Sequence, residues 1–351
     1  LPSYEQVGSI STFLLLVVRM LQGLSVGGQL PASLIYTLEN NDKRYWGLYG
    51  SYVLVAANVG TQLGNIVGAT TREVLTKEQL YSWGWRVPFL SGIIIAFAAV
   101  YLKYNGDEIN PRSADDGLTP ENPIKIAFSS KENRRALLSV MLASMLWGAG
   151  FYVTFVWMAI YMHSLMENPI EKAFWINALT LTFGIIFALP VAGHASDDFG
   201  RKACLIAVVG PIGILIINQG ILIGVFFAQL SIGICLSIYA GPLLAWIAES
   251  FPPEVRLTSA SLGYDLAHAT VAGFSPLMAT LFVDRIGVRS PAAFYPFFAV
   301  FSMLGLYIAP KTYSFENGSN TSLTQENCDV NDLSLDVEKE KKSLTDLPSV
   351  I

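Results

Sequence analysis

Charge is what this sequence is shortest of. Only 14% of its 351 residues are Asp, Glu, Lys or Arg, against about a quarter in soluble domains. A water-exposed surface of ordinary extent cannot be covered from that supply, which excludes one large soluble domain. Basic residues are short too: 22 Lys and Arg against 27 Asp and Glu give a net charge of −5. With no basic face, nucleic-acid binding is excluded. Histidine and cysteine are scarce, three of each. Cys204, Cys235 and Cys328 show neither paired nor metal-ligand spacing, so no disulfide framework and no metal centre is expected. Paired carboxylates, a nucleophile elbow and a phosphate-cradling glycine loop are also missing, so no enzyme activity and no cofactor are expected. The chain opens on Leu1-Pro2-Ser3 without Met or a secretory leader, and further sequence is expected ahead of it.

Apolar residues are what the chain has in excess, at 52% with a mean hydropathy of +0.47. Crossing a bilayer takes about 20 apolar residues in a helix. Nine runs qualify, at about 10–38, 49–70, 84–104, 136–162, 173–193, 203–219, 221–247, 258–283 and 290–309. The fold class is therefore an all-α polytopic membrane protein with about nine transmembrane helices. A loop at about 105–135 carries Pro111, Pro120 and Pro123, and a polar tail after Lys311 is expected to be disordered. Lys43, Arg44, Lys103, Arg112, Lys125, Lys131, Arg134, Arg135, Arg201, Lys202 and Arg256 fall on one side of this arrangement, which marks that side and the tail as cytoplasmic. The sequons at Asn317 and Asn320 would then be out of reach of glycosylation.

Polar residues inside apolar runs are the candidates for function. Arg19 lies about nine residues into the first run, close to the bilayer midplane, where a cation is costly and faces a polar cavity or a partner. Gly23, Gly27 and Gly28 follow it and allow close approach of a neighbouring helix or a solute. Asp265 and His268 stand three residues apart near another midplane and form a candidate proton-carrying pair, with a hydrogen-bonded packing pair as the alternative. Trp147, Phe151, Tyr152, Trp157 and Tyr161 make one helix rich in aromatics, able either to cage a quaternary ammonium or to face lipid. Gln62 and Asn177 are further cavity candidates. A weak internal repeat pairs Glu39…Arg44…Tyr52 with Glu249…Arg256…Tyr264, and parallel repeats with a site between the halves mark one class of secondary transporters. Between spans, the loop holding Asp197, Gly200, Arg201 and Lys202 is able to make a salt-bridge cluster that holds helix ends in one state and releases them in another.

The pattern Gly193-x-x-x-Asp197-x-x-Gly200-Arg201-Lys202 resembles the cytoplasmic loop motif of the major facilitator superfamily, and Arg19-x-x-Gln22-Gly23 resembles the motif of its fourth helix. More narrowly, Leu21–Gly28, Trp83–Phe89, Glu249–Arg256 and Ser261–Tyr264 resemble the metabolite:proton symporters, which include proline/betaine, α-ketoglutarate, citrate and shikimate carriers. The resemblance implies two six-helix halves, of which the nine spans would be helices four to twelve. Residues 1–104 would then be a partial amino-terminal half, 105–135 a central cytoplasmic loop, 136–310 a six-helix carboxyl-terminal half and 311–351 the tail. It implies a monomeric plasma-membrane carrier that takes a small organic solute by alternating access, driven by a proton gradient. The rival expectation is a non-transporting membrane protein or a regulatory partner of a full-length carrier. Arg19, Gln29, Asp265 and His268 are the residues expected at the coupling or solute site, with Gln62, Tyr152, Trp157, Asn177 and Tyr264 around the cavity. Glu39, Arg44, Asp197, Gly200, Arg201, Lys202, Glu249 and Arg256 are expected at the gate. Two departures stand out: Gln29 sits where the family often has Glu, and Asp265 where it often has Asn.

Overall fold

A computed structural model describes Pro2 and residues 4–90, 92–105, 123–166, 169–206, 222–253 and 255–310. The described residues belong to one compact unit, Leu1–Lys311. The tail with both sequons and Cys328, the middle of the 105–135 loop and most of the 203–219 run lie outside the described residues.

Every regular element among the described residues is helical. An apolar chain in lipid has no water to satisfy its N–H and C=O groups, and a helix pairs them within one segment. The main helices are α1 (Ser9–Val26), α2 (Gln29–Glu39), α3 (Trp46–Val74), α4 (Gly92–Asn105), α5 (Lys131–Phe151), α6 (Ala173–Leu181), α7 (Ala188–Phe199), α8 (Leu222–Glu249), α9 (Arg256–Ala267), α10 (Ser275–Ile286) and α11 (Phe294–Ile308). Six stretches among the described residues have the length and apolarity of a membrane span: Ser9–Glu39, Lys131–Leu165, Ala173–Phe199, Ile223–Glu249, Arg256–Ile286 and Ser290–Ile308.

The other three expected runs differ for separate reasons. Much of 203–219 and position 91 within 84–104 lie outside the described residues, and 84–104 opens on a short 3-10 turn at Gly84–Arg86. The 49–70 run is a helix of ample length, 29 residues in α3. Its interior carries Asn58, Thr61, Gln62 and Asn65, too polar for a lipid-facing span. Beyond the central loop, helix begins earlier than expected, at Pro123–Ser129 and again at Lys131.

Several spans are interrupted. The first breaks at Gly27–Gly28, where Gly28 takes φ +80°, a left-handed conformation that glycine adopts without a Cβ clash. Four π-helical segments follow, at Tyr152–Trp157, Tyr161–Leu165, Thr182–Ile186 and His268–Ala272. Such segments are rare and frequent at functional sites.

The core lies around the end of α8, where Leu243 to Ala248 are all almost fully buried, so this part of the helix is enclosed on every side. It packs against α3, α5 and α7. Glycines allow the closest crossings. A Cβ on Gly47 of α3 would lie 2.5 Å from the Gly193 carbonyl of α7, and one on Gly241 of α8 would lie 2.7 Å from the Gly193 nitrogen. No residue of α1 is buried.

Candidate functional site: a charged latch and a midplane cluster

The latch begins where α7 ends. Gly200, at φ +90°, reverses the chain and lets Arg201 reach back along the helix it has just left. Its Nη1 donates to Asp197 Oδ1 at 2.5 Å and to Ser196 Oγ at 2.9 Å, and its Nε donates to Glu249 Oε1 at 3.2 Å. Asp197 has a second task. It accepts the backbone N–H groups of Gly47 (2.8 Å) and Leu48 (3.0 Å). These are the second and third residues of α3, so a carboxylate about 150 positions away caps the helix start, where local side chains usually do so. Two carboxylates and one guanidinium leave one negative charge beside the positive end of the α3 dipole, the favourable sign. Asp197 and Glu249 side chains are 3% exposed and Arg201 11%, so this network is nearly dry.

Arg256 builds the second part. Its Nε donates to the Ala248 carbonyl at 2.9 Å, its Nη1 to Glu39 Oε1 at 3.1 Å, and its guanidinium lies over the Trp46 ring at 5.4 Å. Every bond from Asp197 to Gly47 and Leu48, and from Arg256 to Glu39, joins residues beyond 136 to residues before 104. Glu39, Asp197, Gly200, Arg201, Glu249 and Arg256 therefore lie together at one end of the bundle. Arg44 and Lys202 do not. The Arg44 backbone N–H donates to Asp42 Oδ1 and its guanidinium lies over Tyr45, while Lys202 is exposed. The backbone of Gly47 and Leu48, and the hydroxyl of Ser196, were missed; a helix start after Asp42-Lys43-Arg44 was the one available signal.

The midplane cluster is aromatic. Tyr264 is buried, and its ring stacks on His268 at 3.9 Å and 25°. His268 Nδ1 lies 2.9 Å from the Tyr264 carbonyl. Gly148 makes room for the imidazole, since a Cβ there would stand 3.4 Å from Nε2. Asp265 is half-buried and within hydrogen-bonding reach of the Gly28 backbone N–H. A carboxylate on α9 thus meets the helix break between α1 and α2.

This corrects the expected Asp265–His268 pair. The first lies within reach of the Gly28 backbone and the second against the Tyr264 carbonyl, so each has a partner of its own. Arg19 and Gln29 are exposed. Arg19 donates to Gln22 Oε1 at 3.0 Å and lies 5.2 Å from the Phe89 ring centre, partners near its own helix.

The expected aromatic cage is also divided. Tyr152 is part-exposed beside Phe151, but Trp157 is buried, donates to Thr280 Oγ1 at 2.8 Å and stacks on Tyr161. Asn177, likewise buried, donates to the Phe155 carbonyl at 2.9 Å and accepts from Gln229 Nε2 at 2.7 Å. Gln229 Nε2 also donates to the Thr154 carbonyl, and Thr154 bonds Tyr295. Trp157 and Asn177 thus act as internal ties that hold a π-helical turn in place, and Gln229 was unforeseen. Gln62 lies on the seam considered below. A separate cavity of about 600 Å³ opens between α1, α3 and the segment after it, lined in part by Thr12, Leu15, Arg72, Tyr81 and Trp85. It contains none of the expected site residues.

A bundle of long apolar helices, one of them broken at Gly27–Gly28, and tied between two sequence halves by buried charge, has the architecture of a polytopic membrane protein. The family profile of the Major Facilitator Superfamily matches residues 6–187. The chain belongs to that superfamily. It is 25% identical to the glycine betaine/proline/ectoine/pipecolic acid transporter OusA of Dickeya dadantii over 88% of this chain and 64% of that protein. It is 25% identical to the citrate-proton symporter of Klebsiella pneumoniae, covering 85% and 68%, and to the proline/betaine transporter of Salmonella typhimurium, covering 87% and 63%. The chain thus spans about two thirds of the length of these relatives. Among solved structures it resembles the proton:xylose symporter XylE, with a TM-score of 0.57 and 18% identity over 80% of this chain and 68% of that one. That likeness concerns the fold. The protein is a multi-pass integral membrane protein with an all-α major facilitator fold.

Proposed function

We propose that this chain serves a secondary active carrier that moves a small organic solute by alternating access, with proton flow as the driving force. The observation that carries the reading is the latch: buried charges from one half cap and pair with the other, so separating the halves at this end means breaking a defined set of bonds. A set with two discrete arrangements, closed and released, is what a rocking carrier requires. The relatives named above, transporters of betaine, proline and citrate, support the same class.

Asp265 is the proton-carrying group of this proposal. It is the carboxylate at the level of the helix break, it contacts the opposite half through Gly28, and Gln29 beside that break cannot titrate. His268, stacked on Tyr264, lies one turn along the same helix. In this reading the carrier works as a monomer in the plasma membrane, with the latch end and the tail on the cytoplasmic side. Uptake of labelled proline, betaine and citrate into proteoliposomes, with and without an inward proton gradient, tests it. Solute accumulation that collapses with a protonophore is expected; no accumulation of any of them contradicts the reading.

A further inference from the structure

The polar middle of α3 has a use that neither the latch nor the midplane cluster explains. Asn58 is 3% exposed, and its Nδ2 donates to the Leu54 carbonyl one turn back at 2.8 Å. That bond fixes the amide's orientation and leaves Oδ1 buried without a partner among the described residues. Gln62 Oε1 and Asn65 Nδ2 are in the same condition. The spacing i, i+4, i+7 places all three on one helix face. Buried amides almost always find partners, so three unpaired atoms in a row call for a cause.

The face they occupy is the seam between the sequence halves. Gly47 meets Gly193 at one end of α3, Gly50 meets Ala245 of α8, and at the far end Glu73 Oε2 accepts from the Trp175 indole at 3.0 Å. α3 thus runs antiparallel to α6 and α7. The amides fall near the π-helical Thr182–Ile186, which packs on α3. Between Leu48 and Thr71 the helix carries no charged residue. The stripe therefore offers two uncharged acceptors one turn apart, with a donor further along.

We propose that Asn58 and Gln62 form a solute subsite that accepts hydrogen bonds from N–H or O–H groups, while Asn65 donates to an acceptor at the other end of the solute. The closed seam holds these atoms dry and unpaired, and the solute supplies the missing partners when the halves open. The subsite admits solutes bearing a primary or secondary ammonium or a hydroxyl together with an acceptor such as a carboxylate. It discriminates against fully N-methylated analogues, whose cation has no hydrogen to give. This inference rests on the carrier reading and sharpens it to a chemical class of substrate.

The test is a binding series that needs no gradient. The natural gene product carrying this chain, in lipid nanodiscs, is titrated with glycine, sarcosine, N,N-dimethylglycine and glycine betaine, and with L-proline and N,N-dimethylproline, following its melting temperature. The expected result is that N–H-bearing members stabilise it and that each permethylated member binds about tenfold more weakly or worse, since it leaves the amide oxygens unpaired. Asn58→Leu and Gln62→Leu should erase that difference, while melting at or above the parent temperature because an unpaired buried group is gone. Equal binding of the permethylated members, or an N–H preference that survives both substitutions, overturns the subsite. A failure of every solute in the series also overturns it. The carrier reading falls separately, by gradient-driven uptake: proline accumulation unaffected by Asn58→Leu would sink the subsite and keep the carrier.

Discussion

Asp197→Ala is the most informative single perturbation of the latch. The carboxylate holds two backbone N–H groups of α3 at 2.8 and 3.0 Å and the Arg201 guanidinium at 2.5 Å, with 3% of its side chain exposed. Losing a helix cap costs about 0.5–2 kcal/mol. Removing one member of a buried ion pair costs about 3–5 kcal/mol, because the partner charge stays behind. The two losses share one group and do not add. Arg201 keeps Glu249 as a second acceptor, which argues for the lower end, about 3 kcal/mol. At about 1.4 kcal/mol per factor of ten, the closed latch should weaken about a hundredfold. Hydrogen–deuterium exchange in nanodiscs reads this directly, because the Gly47 and Leu48 amides exchange only when the cap is released. Their exchange should speed up about a hundredfold in Asp197→Ala and less in Asp197→Asn, which keeps an acceptor oxygen. Lys202→Ala, at an exposed position outside the network, should leave it unchanged. An acceleration below threefold in Asp197→Ala, or an equal one in Lys202→Ala, would refute the reasoning.

Three further outcomes follow from the same geometry. Gly193→Val puts a Cβ 2.5 Å from the Gly47 carbonyl and 2.7 Å from Ser51, so α3 and α7 can no longer cross; a fall in melting temperature of several degrees is expected, and an unchanged melt would contradict the crossing. Gln229→Leu leaves Asn177 Oδ1 and the Thr154 carbonyl without their shared donor, which should destabilise the protein by about 1–3 kcal/mol in denaturant titration; a neutral result would show that the tie is dispensable. Asp265→Asn keeps the size of the side chain and its reach to Gly28 but removes the titrating proton. Uptake should then lose its dependence on the pH gradient while solute exchange at zero gradient persists, whereas an unaltered pH profile would remove Asp265 from coupling.

Much of the architecture was legible because hydropathy reports burial in lipid directly. The strongest spans are those whose apolarity is most continuous, such as Ile223–Glu249 and Ala173–Phe199. α3 shows the limit of that signal: it is a long helix whose amide stripe lowers its apolarity, and that same stripe is what its position on the seam explains. The latch was readable from charge spacing, since Asp197, Arg201, Glu249 and Arg256 are costly to bury unless paired. Their partners were not, because backbone N–H groups at a helix start carry no residue signature. Asp265 and His268 looked like a pair on helical periodicity alone. Each finds a backbone partner of its own, Gly28 for Asp265 and the Tyr264 carbonyl for His268, which residue spacing does not report. Trp157 and Asn177 show the complementary error: a polar or aromatic residue in a span reads equally well as cavity lining or as an internal tie, and only their partners, Thr280 and Gln229, decide between the two.

Proton-linked transport is tested by imposing and then removing the gradient. The natural gene product carrying this chain, reconstituted in liposomes, is given labelled proline, betaine or citrate while an inward proton gradient is imposed and then collapsed. The account predicts accumulation of at least one solute above equilibrium under the gradient and its discharge when a protonophore is added. Equilibration of solute at the same rate and level with and without the gradient, or no entry at all, would contradict it.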